Sequence, residues 1–94
     1  LGHIHHVEVD TSHFKGNYPE SCSLEACRAE GLTDESLTEL TVPWNNVLVR
    51  TKLQAHTRHY FDQQLVDAGV VSHLRFNIFP DGGVSRLRVY GTLV

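Results

Sequence analysis

The stretch Ser72-His-Leu-Arg-Phe-Asn-Ile-Phe79, Pro80-Asp-Gly-Gly83, Val84-Ser-Arg-Leu-Arg-Val-Tyr90 decides the fold class. Side chains alternate between the two faces of an extended chain, so Leu74, Phe76 and Ile78 share one face of the first run. In the second run Leu87 and Val89 point one way while Arg86, Arg88 and Tyr90 point the other. Glycines accept the positive φ that short strand-to-strand loops demand, and Pro-Asp-Gly-Gly between two alternating runs therefore predicts a β-hairpin.

The same alternation recurs upstream. Ile4-His-His-Val-Glu-Val-Asp10 sets Val7 and Val9 on one face and Glu8 and Asp10 on the other, a half-buried strand in which His3, His5 and His6 read as exposed strand-edge residues. The polar segment from Thr11 to Glu20, with Gly16, Asn17 and Pro19, has no strand period and carries turn chemistry, so it reads as a loop leaving a strand end. A second strand is predicted from about Ser21 to Ala29 and a third from Trp44 to Thr51 around Val47-Leu-Val49. The acidic stretch 30–39 between them reads as a solvated connection. From Lys52 to Gln64 alternation fails, and a packed loop or short helix is expected. Several short strands, polar turns and no long amphipathic helix give an all-β jelly-roll sandwich.

With 94 residues and 10.6 kDa, the chain is one domain or a piece of one. Surface scaling allows about 5,500 Å² exposed when folded against about 15,000 Å² unfolded, the thin end of what sustains a core. An apolar content of 40% excludes a disordered tail. The net charge of −3 argues against a sequence-independent grip on nucleic acid. No apolar run reaches the ~18 residues of a membrane span, and residues 1–10 hold histidines and acids instead of a signal peptide. Cys22 and Cys27 lie five apart on a predicted strand, pointing to opposite faces and out of disulfide reach. Two semi-buried free thiols favour a reducing, cytoplasmic setting, with a peroxisome as the alternative.

The chemistry-bearing residues cluster in the irregular segments. His13 sits with Asp10, Lys15 and Asn17 where a strand breaks into a loop, the kind of segment that carries function on a rigid scaffold. The alternative reading is a hydrogen-bonded structural loop. His56 and His59 have a spacing that would bring both rings to one face of a helical turn. Two nitrogens do not define a metal site, which takes a third or fourth ligand. Arg86 and Arg88 would clamp a carboxylate bidentately or simply solvate a sheet face.

Val9-Asp-Thr-Ser-His-Phe-Lys-Gly-Asn17 with Pro19-Glu-Ser-Cys22, Leu53-Gln-Ala-His-Thr-Arg-His-Tyr-Phe61, and Phe79-Pro-Asp-Gly-Gly-Val-Ser-Arg-Leu-Arg-Val-Tyr-Gly91 together resemble the allantoicase family. The likeness spans nearly the whole chain, least in residues 30–46. It implies a hydrolase converting allantoate and water to ureidoglycolate and urea in allantoin and purine breakdown. It also implies paired jelly-roll repeats related to galactose-binding and discoidin-like domains. A family repeat is longer and begins with an Arg- and Trp-rich motif, so residues 1–94 are expected to be a partial repeat, incomplete at the N-terminus and inactive alone. Its expected partners are the small-molecule substrate, a second repeat and further copies in a homo-oligomer, with neither nucleic acid nor membrane.

Allantoate hydrolysis needs a cationic clamp for the carboxylate, an acid for departing urea, and a base or metal to activate water. Residue type within these family-like blocks assigns the roles to His13 and His56 as acid–base or metal-binding groups, Asp10 as base or orienting partner, and Arg86 or Arg58 as clamp. Lys15 and Asn17 would position polar atoms of the substrate. A divalent metal ion is a possible cofactor under this resemblance. The competing readings are a non-catalytic carbohydrate-binding sandwich, whose platforms would be Trp44, Phe14 and Tyr18, and an inactive structural repeat.

Overall fold

The structure is a computed structural model that describes residues 1–29 and 44–93; the acidic connection lies outside the described residues. Seven strands are described: β1 (Gly2–Asp10), β2 (Ser21–Cys27), β3 (Asn45–Lys52), β4 (Arg58–Phe61), β5 (Val70–Val71), β6 (His73–Phe79) and β7 (Arg86–Leu93). They form two antiparallel sheets packed face to face, the sandwich read from the sequence. In one sheet β1 is the spine, with β7 along one side and β5 and then β4 along the other. In the other, β2 lies between β3 and β6.

The core fills the space between the sheets. Val7 and Val9 of β1 meet Cys22, Leu24 and Ala26 of β2, with Leu48, Leu53 and Phe61 closing the cluster and Phe76, Ile78 and Val89 packed against it. The alternation along β1 predicts this inward pair. A bulge between Ile4 and His6 resets the parity, so Ile4 also packs against the core, three positions before Val7. Both cysteines are free and buried, and loss of solvation pushes the Cys22 thiol up to about 11. It is thus a protonated, inert apolar group at neutral pH.

The final unit is not a hairpin. β6 pairs with β2, from Ser21↔Phe79 to Cys27↔His73, while β7 pairs with β1 in the opposite sheet. Alternation fixes which face of each run meets the core, but two strands on opposite sides of one core satisfy it as well as two neighbours in a sheet do. The glycines serve close packing of loops and not a tight turn. Gly82 has φ +128, and a Cβ there would come 2.7 Å from backbone atoms of Asn17, Tyr18 and Pro19. The Gly83 N–H donates to the Asn17 carbonyl at 2.7 Å, and Gly83 leaves room for the Phe14 ring.

Two further expectations change. The segment after Lys52, expected as a packed loop or a short helix, makes the loop and then the unforeseen strand β4, because its backbone groups bond to distant segments: Leu53 N–H to Glu20 O at 2.9 Å and His56 N–H to Phe14 O at 3.1 Å. His56 and His59 accordingly do not share a helical face. His3 is not at a sheet edge, since it pairs with β5 on one side and β7 on the other, while His6 pairs with Tyr90 of β7 and His5 is exposed at the bulge.

The close approach at Gly82 gives a direct test. Gly82→Ala places a methyl against immovable backbone at a φ that disfavours a side chain, and should destabilise the protein by about 2 kcal/mol or more in urea denaturation. Gly16→Ala, where a Cβ meets nothing within 4 Å, should change stability far less.

Candidate active site

Asp10 ends β1, Arg58 opens β4 and Arg86 opens β7, and the register sets both arginines directly opposite Asp10 on its two sides. The sequence keeps these residues 28 and more positions apart; pairing of three strands brings them into one row. The loops that leave these strand ends add His13, Ser12, His56 and Ser85, and the group lines one cleft of about 350 Å³. Of the residues singled out in the sequence, the structure therefore unites Asp10, His13, His56, Arg58 and Arg86. Lys15 is exposed on the same loop and is not part of this lining, and Asn17 lines a separate cleft on the far side of that loop.

The two histidines are positioned by hydrogen bonds between their loops. The His13 N–H donates to His56 Nδ1 at 2.8 Å, the His56 N–H donates to Phe14 O at 3.1 Å, and the rings meet edge to face at 5.7 Å. As an acceptor, Nδ1 leaves the ring hydrogen of neutral His56 on Nε2. Both residues hold positive φ, 73° at His13 and 48° at His56, a conformation that non-glycine residues adopt at a cost. Fully buried Thr11 carries part of that cost. Its hydroxyl lies 2.6 Å from Gln54 O and accepts the Thr57 N–H at 3.0 Å, while its own N–H donates to Thr57 O at 2.9 Å. His59 adds a second latch, with Nδ1 3.0 Å from Val9 O and Nε2 accepting the Gln54 N–H at 2.9 Å.

Asp10 is 6% exposed and its charge is well compensated. Hydrogen bonding from Ser12, through the hydroxyl and through the backbone N–H at 2.8 Å to Oδ1, holds the carboxyl below its ordinary value, and Arg58 and Arg86 add to this against the opposing effect of burial. Such a carboxylate stays ionised at neutral pH and is a poor proton acceptor. Arg58 Nε lies 3.6 Å from Asp10 Oδ2. Among the described residues Arg86 makes no ion pair, although its charge acts on Asp10, so its guanidinium is less committed than that of Arg58.

Ser12, Ser85 and Thr11 were not legible as site residues. Ser85 Oγ donates to Ser12 O and the Ser85 N–H to Asp10 O at 2.8 Å, contacts that no spacing along the sequence foreshadows. Among the described residues no group of three or more His, Cys, Asp or Glu side chains is arranged to hold a metal ion. His56 Nδ1 is committed to the His13 N–H and Asp10 to Ser12 and Arg58, so these donors do not fit a metal centre. The loop aromatics are also engaged: Arg75 covers the Trp44 ring at 4.4 Å, Phe14 lies against Gly83, and Tyr18 packs on the core. No helix among the described residues is long and apolar enough to cross a membrane.

Two measurements probe this geometry. The depressed Asp10 carboxyl contributes stability that is present above its ordinary value of 3.8 and lost as pH falls below it. Asp10→Asn should therefore flatten the acid limb of the stability–pH curve, and an unchanged limb in urea titrations would show that the carboxylate is not so held. Thr11→Val keeps the shape but leaves the Thr57 N–H without its hydroxyl partner, and should cost about 1–3 kcal/mol in the same assay.

The chain matches the family model described as Allantoicase repeat over residues 1–94. It is 50% identical over 92 residues to a probable allantoicase of Ralstonia nicotianae, covering 98% of this chain and 27% of that protein. A probable allantoicase of Burkholderia mallei is 52% identical over 92 residues, with the same coverage of each chain. The chain thus spans about a quarter of the length of these relatives. Among solved structures, one described as the structure of allantoicase superposes with a TM-score of 0.73 at 29% identity, over 98% of this chain and 24% of the other. Allantoicase from Saccharomyces cerevisiae gives the same TM-score at 30% identity, over 95% of this chain and 23% of its own. Sequence and fold agree over the full described length, and the chain belongs to the allantoicase repeat family.

Proposed function

We propose that this chain forms part of an allantoicase, a hydrolase that converts allantoate and water to ureidoglycolate and urea. The observation that carries this reading is the convergence of Asp10, His13, His56, Arg58 and Arg86 on one cleft within a repeat of this family. Allantoate carries a carboxylate on the carbon that bears both ureido groups. In this reading Arg86, free of ion pairs among the described residues, receives the carboxylate through two parallel N–H···O bonds. Asp10 remains ionised and holds Arg58 and the Ser12 turn in place.

The histidines divide the polar work. His13, whose ring is exposed, takes a proton from the attacking water and passes it to the nitrogen of the departing ureido group. His56, neutral with its hydrogen on Nε2, keeps that hydrogen and donates a hydrogen bond to the substrate. The water oxygen forms the new C–O bond, the C–N bond breaks, and urea leaves with the proton relayed by His13. Both rings end as they began. In the whole protein a second repeat and further copies of the chain complete the assembly, and Lys15 on the His13 loop lies where it would attract the anionic substrate.

The test is urea release from allantoate by the full-length protein that contains this chain. Wild-type protein should release urea at an enzymatic rate, and a rate no faster than the uncatalysed one would reject the assignment. His13→Asn suits the positive φ yet lacks the ring, and should lower kcat by about a hundredfold or more with the melting temperature nearly unchanged. Arg86→Lys loses the bidentate fork and should raise KM by about tenfold with a smaller effect on kcat.

A further inference from the structure

A second cleft of about 370 Å³ opens on the other side of the loop that carries His13, with Asn17, Tyr18, Glu20, Lys52, Leu53 and Asp81 in its lining. Its floor is apolar: Leu53 is buried in the core and Tyr18 packs against it. Its rim is polar and largely uncommitted. Among the described residues Lys52 and Asp81 form no ion pair, and the Asn17 side chain forms no hydrogen bond, because the link at Asn17 runs through its backbone carbonyl. Glu20, the other carboxylate of the rim, is already held by Ser21 and by Arg50 at 3.3 Å. Lys52, whose charge also acts on Glu20, thus shares a single concavity with the Asp81 carboxylate and the Asn17 carboxamide over an apolar base, the composition of a small-molecule site.

The walls are built to stand where they are. Gly82 fits against the Asn17–Pro19 backbone only because it lacks a Cβ, and the Gly83 N–H to Asn17 O bond of 2.7 Å fastens the two rims together. Leu53 N–H to Glu20 O at 2.9 Å secures the third side. The cleft is therefore held open by backbone contacts rather than by the side chains that would receive a ligand.

We propose that this cleft binds a small ureido or amide acid, with its carboxylate at Lys52 and its N–H groups donated to Asp81 and to the Asn17 carboxamide oxygen. The ligand class rests on the proposed function, whose substrate and product both join a carboxylate to ureido N–H groups. The cleft is distinct from the one lined by Asp10 and the histidines, with no lining residue in common.

The probe is N-carbamoylglycine, a ureido acid with a single carboxylate, titrated calorimetrically into the full-length protein. Lys52→Met and Asp81→Asn change exposed residues, and each should weaken one binding component by about tenfold or more while leaving the circular dichroism spectrum intact. Arg86→Ala should leave that component in place. Absence of binding, or binding that both variants retain at wild-type strength, or a component lost only in Arg86→Ala, would overturn the proposal. Urea release from allantoate is read separately: a wild-type protein that releases none but keeps the Lys52-dependent component refutes the enzyme and leaves the cleft standing.

Discussion

Everything in this molecule is hung on β1, a strand whose two faces are both buried for opposite reasons. Toward the second sheet, Val7 and Val9 are fully excluded from solvent and anchor the core. On the other face Glu8 and Asp10 are 5% and 6% exposed, covered by the flanking strands instead of by water. Such burial is tolerable only where each carboxylate meets cations and donors, and Arg88 lies 3.6 Å from Glu8 as Arg58 does from Asp10. The outer row of the sheet is consequently a ladder of paired charges. Beyond it, the His6 ring stacks on Tyr60 at 6.0 Å and meets Tyr90 tilted at 5.5 Å. The last rung of this ladder, Arg58–Asp10–Arg86, is also the floor of the candidate site.

Strand ends place the charges, while loops place the histidines. The 11–18 and 53–57 segments hold each other through Thr11, His56 and Phe14, and the 80–85 connection is bound to both β1 and the first loop through Ser85 and Gly83. Three connections are thereby cross-linked at one end of the sandwich. That cross-linking sustains positive φ at two non-glycine residues, and it explains why rings 43 positions apart in sequence meet at a fixed angle. The glycines of the 80–85 connection take part in the same assembly, as space for neighbouring loops.

How much of this was visible in the sequence varies with the range of the interaction. Alternation located β1, β2, β3, β6 and β7 to within a few residues and grouped Val7 with Val9 and Phe76 with Ile78 on core-facing sides, because parity is a local property. Leu74, grouped with Phe76, and Leu87, grouped with Val89, are nevertheless exposed at the strand ends. β4 was missed, since Arg58-His-Tyr-Phe61 is short and its polarity is set by β1 beside it. The hairpin expectation failed for a related reason: a pattern that says "half-buried strand" carries no address for its partner. The site residues came from residue type and family resemblance. That Asp10, His13, His56, Arg58 and Arg86 share a cleft, while Asn17 faces another, follows from registers and loop contacts that no spacing encodes.

The sequence by itself determined the class of fold, which residues of each strand share a face, the unbridged state of the cysteines and the family to which the chain belongs. These depend on period-two patterning, on composition, and on blocks of residues read in order. Only the tertiary structure decided that β6 and β7 belong to different sheets, that Ser12 and two arginines hold the Asp10 carboxyl below its ordinary value, and that Arg86 rather than Arg58 is the guanidinium without an ion pair among the described residues. Those outcomes rest on what lies beside a residue across strand and loop boundaries. Neighbours of that kind are created by packing, after the local pattern has done no more than choose which face turns inward.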